Sequence, residues 1–442
     1  MKKAVLLFLV FAVTTSVVSS QKLIDIYKNG PVKLTADKSY GAKNNWETLF
    51  NLYYDTLTRN VGREEDKRIV LAPDGSLFMS HKNRHEIWKF GQDGNFVKSF
   101  GAKGGKAYQF PMMPSIQPVV DGKYVFTCDV NARLKFFDLD GNYYKSITLK
   151  YMTGSFRPLG NGIIMLEGNV LWHTAPPEPN YTSLTWRHVI VKLNIYSGEE
   201  SIIYSYFDDY STNYVKRDQK DTVKNVTVSF TPPVKVNISP ATSVGRRPVI
   251  TFLQNGQFVK SDRTKGEMTL FDNNGKQISN SKIDIEAVAV TEQDVKDNYE
   301  KTKNGILKQI ERIKADKTMT DEGRQQLISQ FQKILDNASK YKDIDNYDKY
   351  LPFFSNIITD DEGNILVFEY TAREEKLSNI FNVIAFDNNG KKLARTSFTC
   401  DDYDLSFSES TFVISKGYVY AVAKLKNAPG IPLRLVKFKI SN

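Results

Sequence analysis

The apolar positions of this sequence fall in short alternating runs that are broken by glycine turns. The first is IVLAPDGSLFMS, in which two β-rich runs flank an Asp-Gly pair. Asp-Gly and Asn-Gly pairs supply the positive φ that a tight hairpin turn needs. The same pattern recurs along the chain at Gly75, Gly122, Gly162, Gly256, Gly363 and Gly417. It predicts six β-hairpins, which we number as the starts of units one to six.

A second kind of turn follows each of the first five hairpins. There another strand precedes a further glycine turn, at Gly94, Gly141, Gly198, Gly275 and Gly390. The first and second glycines are 19 positions apart in units one, two and four, 36 apart in unit three and 27 apart in unit five. A constant spacing with two expanded cases is typical of a four-stranded repeat whose middle loop can grow.

The hexapeptide FDNNGK occurs twice, at residues 271–276 and 386–391, as the second turn of units four and five. Its Asp and Asn oxygens would suit Ca²⁺, but a calcium loop of this type also needs a later bidentate Glu, which neither copy has. An Asn-Gly turn whose Asp caps the backbone accounts for the motif without a metal ion. The sequence therefore predicts a structural turn.

Four antiparallel strands repeated six times predict an all-β fold, a six-bladed β-propeller in which each unit packs against its neighbours. The sixth unit has its hairpin and one more strand, LRLVKFKIS. It therefore has three strands and lacks the fourth. An incomplete unit would leave an exposed sheet edge. We expect the strand-like segment QKLIDIYKNGPVKL to supply the missing outer strand and to close the ring.

The repeat resembles the NHL type. The pattern of Asp-Gly turn, strand, polar loop, strand and second Gly turn is clearest in GSLFMSHKNRHEIWKFGQDGNFVKSFGAKGGKAYQF, at residues 75–110. With the N-terminal segment described next, the chain resembles secreted six-bladed NHL/TolB-like propeller proteins abundant in Bacteroides-like bacteria. The resemblance covers residues 22–442 and implies the fold, but no functional residues, because many such proteins have no assigned activity.

The N-terminus, MKKAVLLFLVFAVTTSVVSSQ, has two lysines before an apolar run and then small residues. It predicts a signal peptide over residues 1–20, with no cysteine near the cut for lipid attachment. No later stretch could span a bilayer, so we expect a periplasmic or secreted protein. The formal net charge of +10 is spread along the chain and does not indicate nucleic-acid binding. Cys128 and Cys400 are expected to be free thiols, and the chain a monomer.

Two intervals exceed the repeat. Residues 291–345 carry apolar positions at helical spacing, with helix starts at Thr291 and Thr320, and predict a helical hairpin between units four and five. Residues 206–245 form either an excursion or part of an extra unit. The propeller itself is expected to comprise residues 21–442. In a propeller the glycine turns lie on one face, so all the longer connections lie on the other face. We expect binding on that face, because binding sites generally lie on long loops carried by a rigid scaffold.

Basic and aromatic residues of these longer connections are the candidate ligand-binding residues. They are His81, Lys82, Arg84, Arg133, Trp172, His173, Arg187, Arg263 and Arg373. Around one mouth of a propeller channel they could attract an anionic saccharide or peptide, and the tryptophan could stack on a sugar ring. The alternative interpretation needs no ligand: charged residues of surface loops that contact solvent, and aromatic residues that pack against the fold, would give the same pattern.

The preferred function is non-catalytic binding of a partner protein or an anionic ligand, with no metal and no cofactor. The alternative is a metal-assisted lactonase- or lyase-type enzyme at the channel mouth. Zinc would use His81, His85 and His173, and a lactonase-like metal site would use Asp129, Glu167 and Glu369. Neither set has a diagnostic spacing, and no phosphate loop or nucleophile elbow is present in the sequence.

Overall fold

The computed structural model describes residues 22–51, 68–81, 84–111, 114–129, 132–174, 181–207, 213–216, 228–229, 248–315, 319–338, 342–370, 380–407 and 411–442. Within these ranges, the side chains of residues 171–174, 181–186, 213–216, 228–229, 337 and 346 are not described. Three elements precede the first unit: helix α1 (Leu23–Lys28), strand β1 (Val32–Ala36) and helix α2 (Trp46–Phe50).

Units one to three follow. Unit one contains β2 to β5, at Ile69–Leu71, Leu77–His81, Glu86–Phe90 and Phe96–Phe100. Unit two contains β6 to β9, at Ser115–Val120, Tyr124–Cys128, Arg133–Asp138 and Tyr143–Thr148. Unit three contains β10 to β13, at Met152–Gly160, Ile163–Thr174, Tyr181–Asn194 and Glu200–Phe207. Strands β14 (Asn213–Lys216) and β15 (Val228–Ser229) come after it.

The second half of the chain contains units four to six. Unit four contains β16 to β19, at Val249–Phe252, Phe258–Asp262, Glu267–Phe271 and Gln277–Lys282. Helices α3 (Glu292–Ala315) and α4 (Asp321–Asn337) and a 3-10 helix (Ile344–Asn346) follow. Unit five contains β20 to β23, at Phe354–Thr359, Ile365–Glu369, Ile380–Phe386 and Lys392–Thr399. After β24 (Tyr403–Asp404), unit six contains β25 to β27, at Phe412–Ser415, Tyr418–Leu425 and Leu433–Ser441.

The fold is mostly β and propeller-like. Units one, two and four are separate four-stranded antiparallel sheets with their strands in chain order. The predicted hairpin glycines are confirmed, because all eleven have φ between +66° and +84°, where glycine is favoured. In the FDNNGK copies, the Asp272 carboxylate accepts hydrogen bonds from two backbone N–H groups of its own turn, as does Asp387.

Each large hydrophobic cluster of the described chain lies between two successive units. Representative pairs, in order, are Phe78 with Ile116, Phe126 with Leu166, Ile190 with Phe258, Leu270 with Val367, Phe368 with Val419 and Leu435 with Trp88. The last pair returns from unit six to unit one. The middle strands are therefore covered on both faces, and every residue of β3 is buried. The outer strand β9 alternates between half-buried and exposed residues.

Strand β1 joins the two ends of the chain. Its residues 33–36 pair antiparallel with residues 441–438 of β27, and its Val32 pairs parallel with Phe398 of β23. Units five and six consequently share one nine-stranded sheet. Val32 and Leu34 are buried among apolar residues of both units. The predicted closure by an N-terminal strand is confirmed at Val32–Ala36.

The segment before β1 is a helix, although the sequence pattern suggested a strand. Leu23, Ile26 and Tyr27 are buried because their spacing places them on one face of α1, which packs on β23. The Tyr27 hydroxyl donates a hydrogen bond of 3.1 Å to Asp360 Oδ2, in the hairpin turn of unit five. The N-terminal segment is thus fixed to unit five by a helix face and a buried hydrogen bond.

Two helices, α3 and α4, occupy the interval for which the sequence predicts a helical hairpin, and they pack on each other. Thr291 and Asp294 bond reciprocally at the start of α3, with Asp294 Oδ2 2.8 Å from Thr291 N. Thr320 Oγ1 accepts a hydrogen bond of 3.2 Å from Gly323 N at the start of α4. Both predicted helix starts are confirmed. None of the described helices combines the length and the apolar character needed to cross a membrane.

Unit three differs most from the repeat. Its β11 and β12 pair from Ile163 with Asn194 to Thr174 with Ser183, so much of the predicted long loop is strand. We call residues 169–174 and 181–188 the arm. Strand β14 pairs with residues 181–184 and β15 pairs with β14. The described pieces of the 206–245 segment are therefore an excursion of unit three, and residues 208–212, 217–227 and 230–245 lie outside the description.

Replacing Leu34 by Ala tests the closure of the ring. We expect the free energy of unfolding to fall by about 2–5 kcal/mol, because a buried large side chain is lost and leaves a cavity. Thr35→Ala is the control, since Thr35 is exposed on the same strand and should change stability by less than about 0.5 kcal/mol. Urea denaturation of both variants measures the difference, and equal destabilisation would contradict the role of β1.

The buried Asp360 makes stability depend on pH. Burial raises the pKa of its carboxyl to about 6, against the lowering effect of hydrogen bonds from Asn364 and Tyr27. A folded-state pKa above the unfolded value gives a contribution that is complete below about pH 4 and is lost as pH rises through about 6. Relative to Asp360→Asn, we expect the wild-type protein to lose on the order of 2–3 kcal/mol between those pH values. Identical urea-denaturation profiles against pH would contradict this expectation.

Candidate functional site

The connections of the units divide between two faces of the molecule. The glycine turns lie on one face, which we call the trimmed face. The second-to-third-strand loops and the connections between units lie on the other, which we call the loop-rich face. The arm, β14 with β15, and the pair α3 and α4 all belong to the loop-rich face by this topology. The candidate ligand-binding residues come from the same face.

In unit one, the structure brings His81 and Arg84 together. His81 is fully buried at the end of β3, its ring centre is 4.4 Å from that of Trp88, and its Nδ1 accepts a hydrogen bond of 3.3 Å from Arg84 N. Burial, and then the nearby Arg84 guanidinium, lower the pKa of His81 to about 4. The sequence made His81 a candidate ligand-binding residue, but packing against Trp88 makes it an internal, neutral ring. Arg84 is the exposed member of the pair.

In unit two, Arg133 is exposed, and Cys128, at the end of the preceding strand, and Asp129, just after it, each have a hydrogen-bond partner. Arg133 N donates a hydrogen bond of 3.1 Å to Asp129 Oδ1, so this carboxylate caps its own turn. Cys128 Sγ is 2.9 Å from Thr153 Oγ1 of unit three. Burial raises the pKa of the Cys128 thiol to about 11, which keeps it protonated at neutral pH. Cys128 and Cys400 are both buried free thiols, as expected.

In unit three, a buried histidine lies beside a carboxylate. His188 stacks on Tyr206 at 4.6 Å, and its Nδ1 is 3.6 Å from Glu167 Oε1. Lys260 Nζ of unit four is 4.4 Å from the centre of the Tyr206 ring. Arg187 Nη2 donates a hydrogen bond of 3.2 Å to Ser205 Oγ. This group ties unit three to unit four.

The remaining candidates are placed only in part. Trp172 and His173 belong to β11, where they pair with Thr185 and Leu184 in the arm, but their side chains are not described. Lys82 and Arg373 lie outside the described residues.

Arg263 is the candidate with the most distinctive surroundings. It lies in the second-to-third-strand loop of unit four, and its Nη2 donates a hydrogen bond of 3.4 Å to Asn356 Oδ1 on the inner strand of unit five. Asn356 Nδ2 in turn donates to Phe407 O, ahead of unit six. Burial lowers the pKa of Arg263, although a guanidinium remains charged at neutral pH. Its Nε is buried and has no hydrogen-bond acceptor within the described part of the chain.

The carboxylates considered for a metal site are engaged within their own units. Glu369 Oε1 is 2.7 Å from Arg395 Nη2, in addition to the Asp129 and Glu167 contacts above. Of the zinc candidates, His85 has its Nδ1 2.9 Å from the carbonyl oxygen of Phe110, which lies in the connection between units one and two. Among the residues described, no group of three or more His, Cys, Asp or Glu side chains is arranged to hold a metal ion.

Two polar residues of inner strands were not found from the sequence. One is Asn356, the partner of Arg263. The other is Arg157 of β10, whose Nη2 donates hydrogen bonds of 3.1 Å to Phe252 O and 3.5 Å to Thr359 Oγ1. It bridges units three, four and five close to the trimmed face. The signal that could have identified both was a side chain with several N–H donors in the first strand of a repeat unit, a strand that packs close to its neighbours.

Comparisons with known proteins give structural likeness only. No protein-family model matches the chain, and no curated protein matches its sequence. A member of the DUF4221 family from Bacteroides vulgatus is 11% identical, covering 94% of this chain and 100% of its own, with a TM-score of 0.44. A Bacteroides fragilis protein is 11% identical, and the match covers 85% of this chain and 90% of its own, with a TM-score of 0.42. Streptogramin B lyase is 11% identical, and the match covers 86% of this chain and 94% of its own, with a TM-score of 0.35. Likeness at this level says nothing about ligand or activity.

The strand order, the glycine turns and the packing between units define the class of this chain. It is a mostly β, propeller-like protein built from four-stranded antiparallel sheets, with an N-terminal strand that completes its last unit. Its loop-rich face carries the half-buried Arg263, whose Nε is buried, two exposed arginines and a helical insertion.

Burial of His81 has a measurable consequence. We expect its imidazole to stay neutral from pH 8 down to about pH 5 and to take up a proton only near pH 4, because burial disfavours the charged form. The histidine C–H signals in NMR spectra against pH give this value, with His81→Asn identifying the resonance. A His81 signal that titrates near the usual value of about 6.5 would contradict the buried position.

Proposed function

We propose that this protein is a non-catalytic binding module that holds an anionic saccharide at the loop-rich face of a six-bladed, NHL-like β-propeller. The six-bladed form is supported by the clusters that follow one another from unit one to unit six and back, and by β1 as the outer strand of the last unit. The NHL-like character is supported by the repeat pattern in the sequence.

Arg263 is the observation that carries the proposed function. Removing a charged group from water is costly unless it gains partners, so a buried guanidinium normally contacts carboxylates or several acceptors. Within the described residues, the Arg263 guanidinium donates to the neutral amide oxygen of Asn356, and its buried Nε has no acceptor. A carboxylate or sulfate group of a ligand would supply the missing acceptors and the opposite charge.

The surroundings of Arg263 favour recognition of an anion over chemistry on it. Arg84 and Arg133 are exposed on the same face and add positive potential that would raise the local concentration of an acidic ligand. Asn356 holds the guanidinium in place through a contact that spans units four and five. A rigid, pre-positioned donor lowers the ordering cost of binding. An acidic segment of a partner protein is the other occupant that the test below distinguishes.

An exported location accompanies this function. Residues 1–20 have the pattern of a cleavable signal peptide, and the remainder of the chain would then work as a monomer in the periplasm or outside the cell, where saccharides are accessible.

Binding of wild-type protein to uronic-acid oligosaccharides, neutral oligosaccharides and acidic peptides tests the proposal. We expect uronic-acid oligosaccharides to bind, and Arg263→Gln to weaken that binding at least about tenfold, the effect of losing one charge-assisted hydrogen bond. Lys265→Gln is the matched control, because it removes the same charge from the exposed part of the same loop and should have little effect. Calorimetric titration gives the affinities.

Three results would count against the proposal. Equal binding of neutral and acidic oligosaccharides would remove the role of charge, and equal effects of the two substitutions would remove the role of Arg263. Binding of acidic peptides alone would replace the saccharide by a protein partner. Circular dichroism of each variant verifies that it remains folded.

A further inference from the structure

A cavity of about 530 Å³ lies beside the first half of α3. One wall is a face of α3 with Lys296, Tyr299 and Lys303, which helical spacing places side by side. The opposite wall is the segment with Lys342 and Ile344 that forms the start of the 3-10 helix. Small-molecule sites commonly measure about 300–1,000 Å³ and combine apolar or aromatic surface with a few polar groups. This cavity fits that description.

The two walls are held together without a ligand. Asn298 Nδ2 on α3 donates a hydrogen bond of 3.2 Å to the Tyr347 hydroxyl on the opposite segment. Below the cavity, Val290 N donates to Lys349 O at 3.0 Å and Leu351 N donates to Val288 O at 2.8 Å. The cavity is therefore already formed, which lowers the ordering cost of binding.

Tyr299 and the lysines around it determine what the cavity can hold. Lys342 Nζ is 4.7 Å from the centre of the Tyr299 ring, and Lys303 Nζ is 6.0 Å from it. Tyr299 is half-buried, and Val295 beneath it is buried. An aromatic face bordered by ammonium groups suits a ring with an apolar face and an attached anionic group.

Carboxylates also line the cavity, but most are already engaged. Glu300 pairs with Lys303 at 3.4 Å. The Asp343 side chain accepts a hydrogen bond of 3.0 Å from Asp345 N at the start of the 3-10 helix. Among the described residues, Lys296 and Lys342 have no carboxylate within ion-pair distance. Lys296 and Lys342 therefore share the cavity with the carboxylates of Glu292 and Asp343, and one Asp343 oxygen is already occupied by a backbone N–H.

We propose that this cavity binds one acidic sugar residue of the uronic acid class. The sugar carboxylate lies between Lys296 and Lys342, the apolar face of the ring stacks on Tyr299, and Glu292 accepts a hydrogen bond from a ring hydroxyl. The assignment rests on the proposed function for the class of ligand, but it uses different residues and a different part of the loop-rich face from Arg263.

The probes for this site are D-glucuronate and D-glucose, which share a ring and differ by one carboxylate. Saturation-transfer NMR with the intact chain detects binding, and titration gives the affinity. We expect glucuronate to bind more tightly than glucose. Lys342→Gln, Lys296→Gln and Tyr299→Leu should each weaken glucuronate binding about tenfold. Lys308→Gln is the matched control, because Lys308 is exposed on α3 outside the cavity, and it should leave the affinity unchanged.

The variants separate failure of this inference from failure of the proposed function. If Arg263→Gln abolishes binding of acidic saccharides while Lys296→Gln and Lys342→Gln do not affect it, the cavity assignment is overturned and the proposed function stands. If the lysine variants lose glucuronate binding and Arg263→Gln does not, the cavity is the site. Equal binding of glucose and glucuronate, or equal effects of Lys308→Gln and Lys342→Gln, would overturn the assignment. If no acidic saccharide binds the wild-type protein, both proposals fail.

Discussion

The structure depends on the need of each unit to cover both faces of its sheet. A four-stranded sheet with apolar residues on both sides cannot be stable alone, so each unit needs a neighbour on either side. The requirement can be met for every unit only if the last one packs on the first, as Leu435 and Trp88 do. Strand β1 then completes the final sheet, and the burial of Leu34 ties the two ends of the chain together.

This closure concentrates the packing of the molecule in the strands of its units. Strands and glycine turns carry the packing, and turn aspartates such as Asp272 close their turns with local hydrogen bonds. The loop-rich face is free to vary because little of the inter-unit core lies in it. A half-buried guanidinium such as that of Arg263, part of which is removed from water, is tolerated on a scaffold of this kind, and the anion proposed above would offset its cost.

The periodic part of the fold follows from local chemistry. The Asp-Gly and Asn-Gly turns and the helix starts at Thr291 and Thr320 were found from the sequence, because each depends on a few adjacent residues. The segment before β1 was interpreted as a strand, although Leu23, Ile26 and Tyr27 have helical spacing, because the missing strand dominated the interpretation. The arm of unit three was interpreted as a loop, because the Pro-rich sequence APPEPN interrupts the alternation of its apolar residues.

The site was less predictable than the fold, for a physical reason. Residue type and loop position selected Arg84, Arg133 and Arg263 as candidates, but burial and partners depend on residues far apart in the chain. His81 became an internal ring through Trp88, and Arg263 acquired Asn356 from a different unit. By itself, the sequence determined where the hairpins of the repeat turn, where the helical insertion begins and which connections are longer than the repeat. Only the tertiary structure decided which charges are buried and where a cavity forms, because both depend on contacts between units and on how the segment with Lys342 and Ile344 packs against α3.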